Sequence, residues 1–193
     1  MKIALGIPTY GTIKYKTALS LMELIRLNRQ YEFLPIFRYG SIISENRERI
    51  IVIAKQQKCD YVFFVDSDIS FEPSIINELL AHDKEIVSGM YHYRFLPKTP
   101  VNKFFDENGK TVNSIPEIPK ELFSVPATGG GCLLVRASVF DEIQSPYFPM
   151  EYDEAGNVKV TEDIGFCEKV RAAGYSIWID PNLHVRHTGD YDF

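Results

Sequence analysis

The run Tyr61-Val62-Phe63-Phe64-Val65 stops at Asp66-Ser67-Asp68, and this junction constrains the fold more than any other stretch. Five consecutive apolar residues rich in Val and Phe predict a strand buried on both faces, as in a parallel sheet. In open α/β sheets ligands sit outside the carboxyl ends of strands, so the two carboxylates lie where chemistry is usually done. Neither has a Lys or Arg beside it in the sequence. Hard anionic oxygens of that kind suit a divalent cation that keeps positions open for phosphate oxygens. The plainer reading is that Asp66 ends the strand and Asp68 caps the turn after it, because Asp is common in turns.

The flanking elements build a sheet around that strand. Residues 2–8 read as a short apolar strand stopped by Pro8-Thr9-Tyr10-Gly11, which puts Thr9 and Tyr10 at the same edge as Asp66 if the strands are parallel. Residues 14–28 carry apolar positions at helical spacing, and 31–39 form a second strand candidate. Ser44-Glu45-Asn46-Arg47 opens another helix, with Ser44 as its cap. Strand, helix, strand, helix, strand is a βαβαβ half-sheet with right-handed crossovers. Beyond Asp68, Glu72-Pro73-Ser74 starts a helix to about residue 80, and 85–88 is a short strand. Tyr91, His92, Tyr93 and Arg94 then lead into a Pro-punctuated stretch. Asn108-Gly109 between two apolar segments predicts a hairpin within 100–114, followed by a loop.

In the second half, Gly129-Gly130-Gly131 enters an apolar strand. Glycines there let backbone approach a ligand, or they make a plain turn. No Gly-Lys-Ser/Thr follows, so this is not a P-loop. A short helix over 136–143 and a Pro-rich loop over 145–150 come next. Thr161-Glu162-Asp163 heads a helix that ends at Gly174, and acids in a first turn are good helix-start chemistry in their own right. A strand over 176–179 leads to Asp180-Pro181 and then to His184 and His187. Strand residues three apart face opposite sides, so both histidines cannot reach one metal without a bulge.

Composition narrows the class. A chain of 193 residues fits one domain with a large core. A net charge of −5 gives no electrostatic reason to expect nucleic acid or an anionic membrane as partner. No apolar run can span a bilayer, so no transmembrane segment is expected, and the N-terminus lacks a signal-peptide pattern. Cys59, Cys132 and Cys167 are odd in number and far apart, which fits a reducing, cytoplasmic setting rather than disulfides or a zinc site.

Five pieces in this order resemble the GT-A nucleotide-sugar glycosyltransferases, most of all their family-2 branch. They are Ile7-Pro8-Thr9-Tyr10, Asp66-Ser67-Asp68, Gly129-Gly130-Gly131, Thr161-Glu162-Asp163 before Ala173-Gly174-Tyr175, and Asp180-Pro181 with a downstream His. The resemblance implies a single-domain α/β fold with a mixed, mainly parallel sheet and helices on both faces. It implies transfer of a sugar from a nucleoside-diphosphate donor (UDP- or GDP-sugar) to a hydroxyl of a glycan, lipid or small-molecule acceptor, with Mn²⁺ or Mg²⁺. Pro8, Thr9 and Tyr10 would line the nucleoside pocket, Arg47 would approach the base or diphosphate, and Asp66 with Ser67 would meet the ribose or sugar. Asp68 would ligate the metal with His187 as a further ligand and Asp66 close by. Gly130 and Gly131 would lie against donor or acceptor. Asp163 matches the general base of inverting members, with Glu162 orienting the acceptor.

From residue chemistry, aromatic faces suit sugar rings and Arg suits phosphate, which assigns Tyr91 and Arg94 to the substrate cleft; otherwise these rings cover the hairpin. No Gln-x-x-Arg-Trp follows Thr-Glu-Asp, which argues against a processive polymerase. The chain stops soon after His187, as in a minimal enzyme or a domain of something larger. Two alternatives belong to other classes. Phe64-Val65-Asp66-Ser67-Asp68-Ile69 also resembles the nucleophile motif of haloacid-dehalogenase phosphatases, which that family places on its first strand. The other is a nucleotide-sugar-binding module without catalysis.

Overall fold

A computed structural model describes residues 1–189, so the end of the chain at Phe193 lies outside the described residues. The first half runs β1 (Lys2–Thr9), α1 (Tyr15–Leu27), β2 (Glu32–Tyr39), α2 (Ile43–Gln56), β3 (Tyr61–Val65), β4 (Ile69–Phe71), α3 (Ile75–Ala81) and β5 (Ile86–Gly89). A small hairpin follows, β6 (Phe104–Phe105) and β7 (Thr111–Val112), then β8 (Phe123–Val125), β9 (Cys132–Arg136) and α4 (Val139–Glu142). A second hairpin, β10 (Glu151–Tyr152) and β11 (Val158–Val160), leads to α5 (Glu162–Ala172), β12 (Ile177–Asp180) and β13 (Val185–His187).

Seven strands form the central sheet in the order β2-β1-β3-β9-β5-β12-β8. β1 runs parallel to β2 and β3, and β12 parallel to β5, while β9 and β8 are antiparallel to their neighbours. The sheet is therefore mixed and mainly parallel. Its strands alternate between two cores. Ile3, Leu5 and Ile7 of β1 and Tyr61, Phe63 and Val65 of β3 face α1 and α3. Ala4, Val62 and Phe64 face the other way, toward α2, α4 and α5. All five β3 residues are buried, as a strand covered on both faces requires.

Several local expectations change. Ser44 does not cap α2: the helix starts at Ile43, Ile42 holds the cap position without a side-chain bond, and Ser44 sits inside the first turn. Pro73 lies in the turn before α3 rather than in the helix. Asn108-Gly109 does make its hairpin, with Gly109 at φ 75° and the Asp106 carboxylate accepting the N–H groups of Asn108 and Lys110. β4, β8, β10 and β11 are too short for periodicity to reveal and exist through their pairing partners. The three cysteines are free and buried. Among the described residues no helix is long and apolar enough to cross a membrane.

Candidate active site

β3 ends where its backbone meets the glycine loop: the Asp66 N–H donates to the Gly131 carbonyl at 3.1 Å. The Asp66 carbonyl accepts from Ile69 N–H at 3.0 Å, so Asp66-Ser67-Asp68 turns the chain sharply into β4. β4 pairs antiparallel with β13, His187 opposite Ile69, and Thr188 N–H donates to the Asp68 carbonyl at 2.7 Å. That register brings His187 beside Asp68, while His184 lies by another small pocket with Lys16 and Glu23. The two histidines do part, but not by alternation within a strand: His187 lies on β13, and His184 precedes it.

A cleft of about 440 Å³ opens at this edge. Pro8, Tyr10, Arg47, Asp66, Ser67, Asp68, Arg94, Glu162 and His187 line it, all from the residues singled out above. Thr12, Lys14 and Ile43 also line it and were not anticipated. Lys14 stands at the cap position of α1, while Ile43 and Glu162 open α2 and α5. Three helix N-termini thus meet at the cleft, and none of the three has a side-chain bond from its cap residue. Uncapped N–H groups and the positive end of each helix dipole favour an anionic ligand.

Arg47 lies beneath the floor of the cleft. Its side chain is 2% exposed. One guanidinium nitrogen donates to Asp66 Oδ1 at 2.8 Å and another to the Gly130 carbonyl at 3.0 Å. Nε stands 3.7 Å from Glu162 Oε1 without a hydrogen bond, and the rings of Phe64 and Phe148 flank the cation at 5.6 Å. Burial alone would weaken the protonated form, but Asp66, Glu162 and Asp163 together hold the Arg47 pKa above its ordinary value. Glu162 is pushed up by burial and by the charge of Asp163, which outweigh Arg47.

The glycines serve this cation. A Cβ on Gly130 would come within 2.7 Å of Arg47 Cζ, and one on Gly131 within 2.8 Å of the Tyr91 hydroxyl. Both glycines are buried, and the space above them is filled by Arg47 and Tyr91. Tyr91 is 3% exposed, and its hydroxyl accepts the Gly131 N–H at 2.8 Å. Of the two residues assigned to the substrate cleft, then, Arg94 faces it and Tyr91 packs behind the glycine loop. Thr9 is likewise buried, its hydroxyl donating to the Thr12 carbonyl at 2.7 Å. Asp163 is half-buried. The Thr161 hydroxyl and the Ile164 N–H both donate to its Oδ1, leaving Oδ2 free of those two bonds.

Asp68 carries two partners that its sequence neighbours did not announce. Arg94 Nη1 lies 2.8 Å from Oδ2, and His187 Nε2 3.3 Å from Oδ1. Burial pushes the Asp68 pKa up, yet the hydrogen bond and charge of His187, joined by Arg94, bring it below the ordinary carboxylate value. The His187 ring also places Nδ1 3.0 Å from the His92 carbonyl. A carbonyl only accepts, so Nδ1 carries a proton; with a second proton on Nε2 the ring donates to Asp68, and without it the Nε2 lone pair faces the carboxylate. Two electron-rich atoms face to face call for a proton or a cation. Among the described residues no group of three or more His, Cys, Asp or Glu is arranged to hold a metal. The expected trio of Asp66, Asp68 and His187 does not assemble: Asp66 Oδ1 bonds Arg47, while Asp68 faces His187 and Arg94. What remains is a pair, Asp68 and His187. A nitrogen–oxygen pair fits a divalent cation that brings phosphate and water oxygens as its other ligands.

No protein-family model matches the chain, and no curated protein matches it. Solved structures do. A197 from STIV is similar at a TM-score of 0.65 and 16% identity, over 98% of this chain and 87% of that one. S. aureus TarS is similar at a TM-score of 0.52 and 17% identity, over 94% of this chain but 35% of TarS. This chain therefore spans about a third of TarS. With the mixed seven-stranded sheet, these likenesses define a GT-A-like α/β fold.

Proposed function

We propose that the protein is a metal-dependent glycosyltransferase that moves a sugar from a nucleoside-diphosphate donor to an acceptor hydroxyl with inversion. The observation that carries this reading is the His187–Asp68 pair, a nitrogen and an oxygen 3.3 Å apart on the wall of a cleft where three helices begin. Mn²⁺ or Mg²⁺ held there supplies positive charge to the departing diphosphate.

The chain's own residues do the rest. Pro8 and Tyr10 take the nucleoside, and the N-termini of α1 and α2 with Lys14 attract the phosphates. Asp66, fixed through one oxygen by Arg47, offers the other to a ribose or sugar hydroxyl. Asp163 Oδ2 accepts the proton of the acceptor hydroxyl as its oxygen bonds to the anomeric carbon. The bond from that carbon to the diphosphate oxygen breaks, and the negative charge leaves on the nucleoside diphosphate. Glu162 faces the cleft and orients the acceptor. The phosphatase alternative has less support, since that family carries its nucleophile on the first strand, whereas Asp66 follows β3.

Titration calorimetry with UDP and GDP, in Mn²⁺ and in EDTA, tests the reading. Tighter binding with Mn²⁺, largely lost in Asp68→Asn, is expected. Equal affinity in Mn²⁺ and EDTA removes the metal from the reaction.

A further inference from the structure

Building on that metal-and-donor reading, we infer that Arg94 is the counter-ion Asp68 gives up when cation and diphosphate arrive, so that the two ligands bind as a coupled pair. Both oxygens of Asp68 are engaged, Oδ2 by Arg94 at 2.8 Å and Oδ1 by His187 at 3.3 Å. The two partners differ in how firmly they are held. His187 is fixed through Nδ1 to the His92 carbonyl and packs edge-on against the Tyr91 ring. Arg94 sits one step beyond, on a narrow strap closed by Tyr93 N–H to the Thr99 carbonyl and Val101 N–H to the Tyr91 carbonyl. The Arg94 side chain is 52% exposed, against 17% for Asp68. Phe95 and Leu96 at the tip of the strap are exposed too. The base of the strap is therefore pinned to the site, and the segment that carries Arg94 stands in solvent.

Charge counting then sets the order of events. A divalent cation arriving alone meets one carboxylate already neutralised by a guanidinium, and the added charges repel. A diphosphate arriving alone meets Arg94 but has Asp68 opposite. Together they balance: the cation takes Asp68 and His187, and Arg94 swings from carboxylate to phosphate, where its fork of donors pairs as well. Coupling between two ligands is reciprocal, so diphosphate tightens cation binding by the same factor that the cation tightens diphosphate binding.

Mn²⁺ binding, read from the loss of the free-ion paramagnetic resonance signal with and without UDP or GDP and after subtracting the Mn²⁺ that the nucleotide binds without protein, tests this directly. For the wild type, nucleotide should raise Mn²⁺ affinity by roughly 5- to 150-fold, the usual span of such coupling. In Arg94→Gln, Mn²⁺ alone should bind several-fold more tightly than in the wild type, and the nucleotide effect should shrink. Arg94→Lys, which keeps the charge, should stay near the wild type. Arg94 is outside both cores, so unchanged circular dichroism is expected for both variants. If Arg94→Gln matches the wild type in nucleotide-free Mn²⁺ affinity while nucleotide still tightens Mn²⁺, the counter-ion role is wrong and metal-linked donor binding stands. If no form takes up Mn²⁺ even with nucleotide, the metal reading itself fails, and the counter-ion role with it.

Discussion

Replacing Arg47 by methionine should be among the most damaging single changes near the site. Methionine keeps much of the contact with the Phe64 and Phe148 rings, so the loss is mainly polar. It removes a charge-assisted bond to Asp66 at 2.8 Å and orphans the Gly130 carbonyl, bonded at 3.0 Å. Removing one member of a buried ion pair costs about 3–5 kcal/mol, because the partner is left uncompensated. The Asp66 side chain is 31% exposed and can regain some water, which favours the lower figure, about 3 kcal/mol. At about 2–4 °C per kcal/mol for a chain of this size, the melting temperature falls by roughly 6–12 °C. Urea unfolding followed by the fluorescence of Trp178, the single tryptophan, measures the change. Arg47→Lys retains the charge but cannot span both acceptors, so it should fall between. A loss under about 1 kcal/mol in Arg47→Met would refute the view that this cation ties β3, the glycine loop and α5 together.

Two further tests read other parts of the fold. Gly165→Ala should gain up to about 1 kcal/mol on helix propensity alone, yet its Cβ would stand 2.1 Å from the Pro149 carbonyl oxygen. We expect a net loss of about 1–3 kcal/mol, the usual cost of overpacking; a gain in urea unfolding would show that the 145–150 loop yields freely. Glu162 has a folded pKa above the ordinary 4.5, so the folded state favours its protonated form. Its contribution therefore weakens as pH rises from 4.5 through the folded value. Wild-type stability should decline relative to Glu162→Gln between pH 4 and pH 7; a pH-independent difference would contradict the burial argument.

Much of this was legible in the sequence because it is local. The Tyr61–Val65 run announced a strand covered on both faces, and the carboxylates after Val65 announced the edge at which a cleft opens. His187 and His184 do sit apart, though His184 precedes β13 and so does not alternate with His187 along it. What escaped the sequence depends on pairing between distant segments. Asp66 and Asp68 look unneutralised in the chain, but α2 delivers Arg47 to one and the strap after β5 delivers Arg94 to the other. Gly130 and Gly131 read as room for a ligand, whereas the space belongs to Arg47 and Tyr91. β4 holds three residues, too few for a period, and becomes visible only through β13. Lys14 and Ile43 carry no motif and reach the cleft through the helix starts they occupy.

Sugar transfer itself is tested most directly by release of nucleoside diphosphate from UDP- and GDP-sugars with Mn²⁺, comparing the wild type with Asp163→Asn. Hydrolysis by water serves as the readout until an acceptor is found. The variant keeps size and hydrogen-bonding shape but cannot take the acceptor's proton, so donor affinity should be nearly unchanged. Release should slow by about 10²–10⁴-fold, the usual contribution of a general base. Undiminished release by Asp163→Asn, or tight donor binding by the wild type with no release at all, would contradict the account.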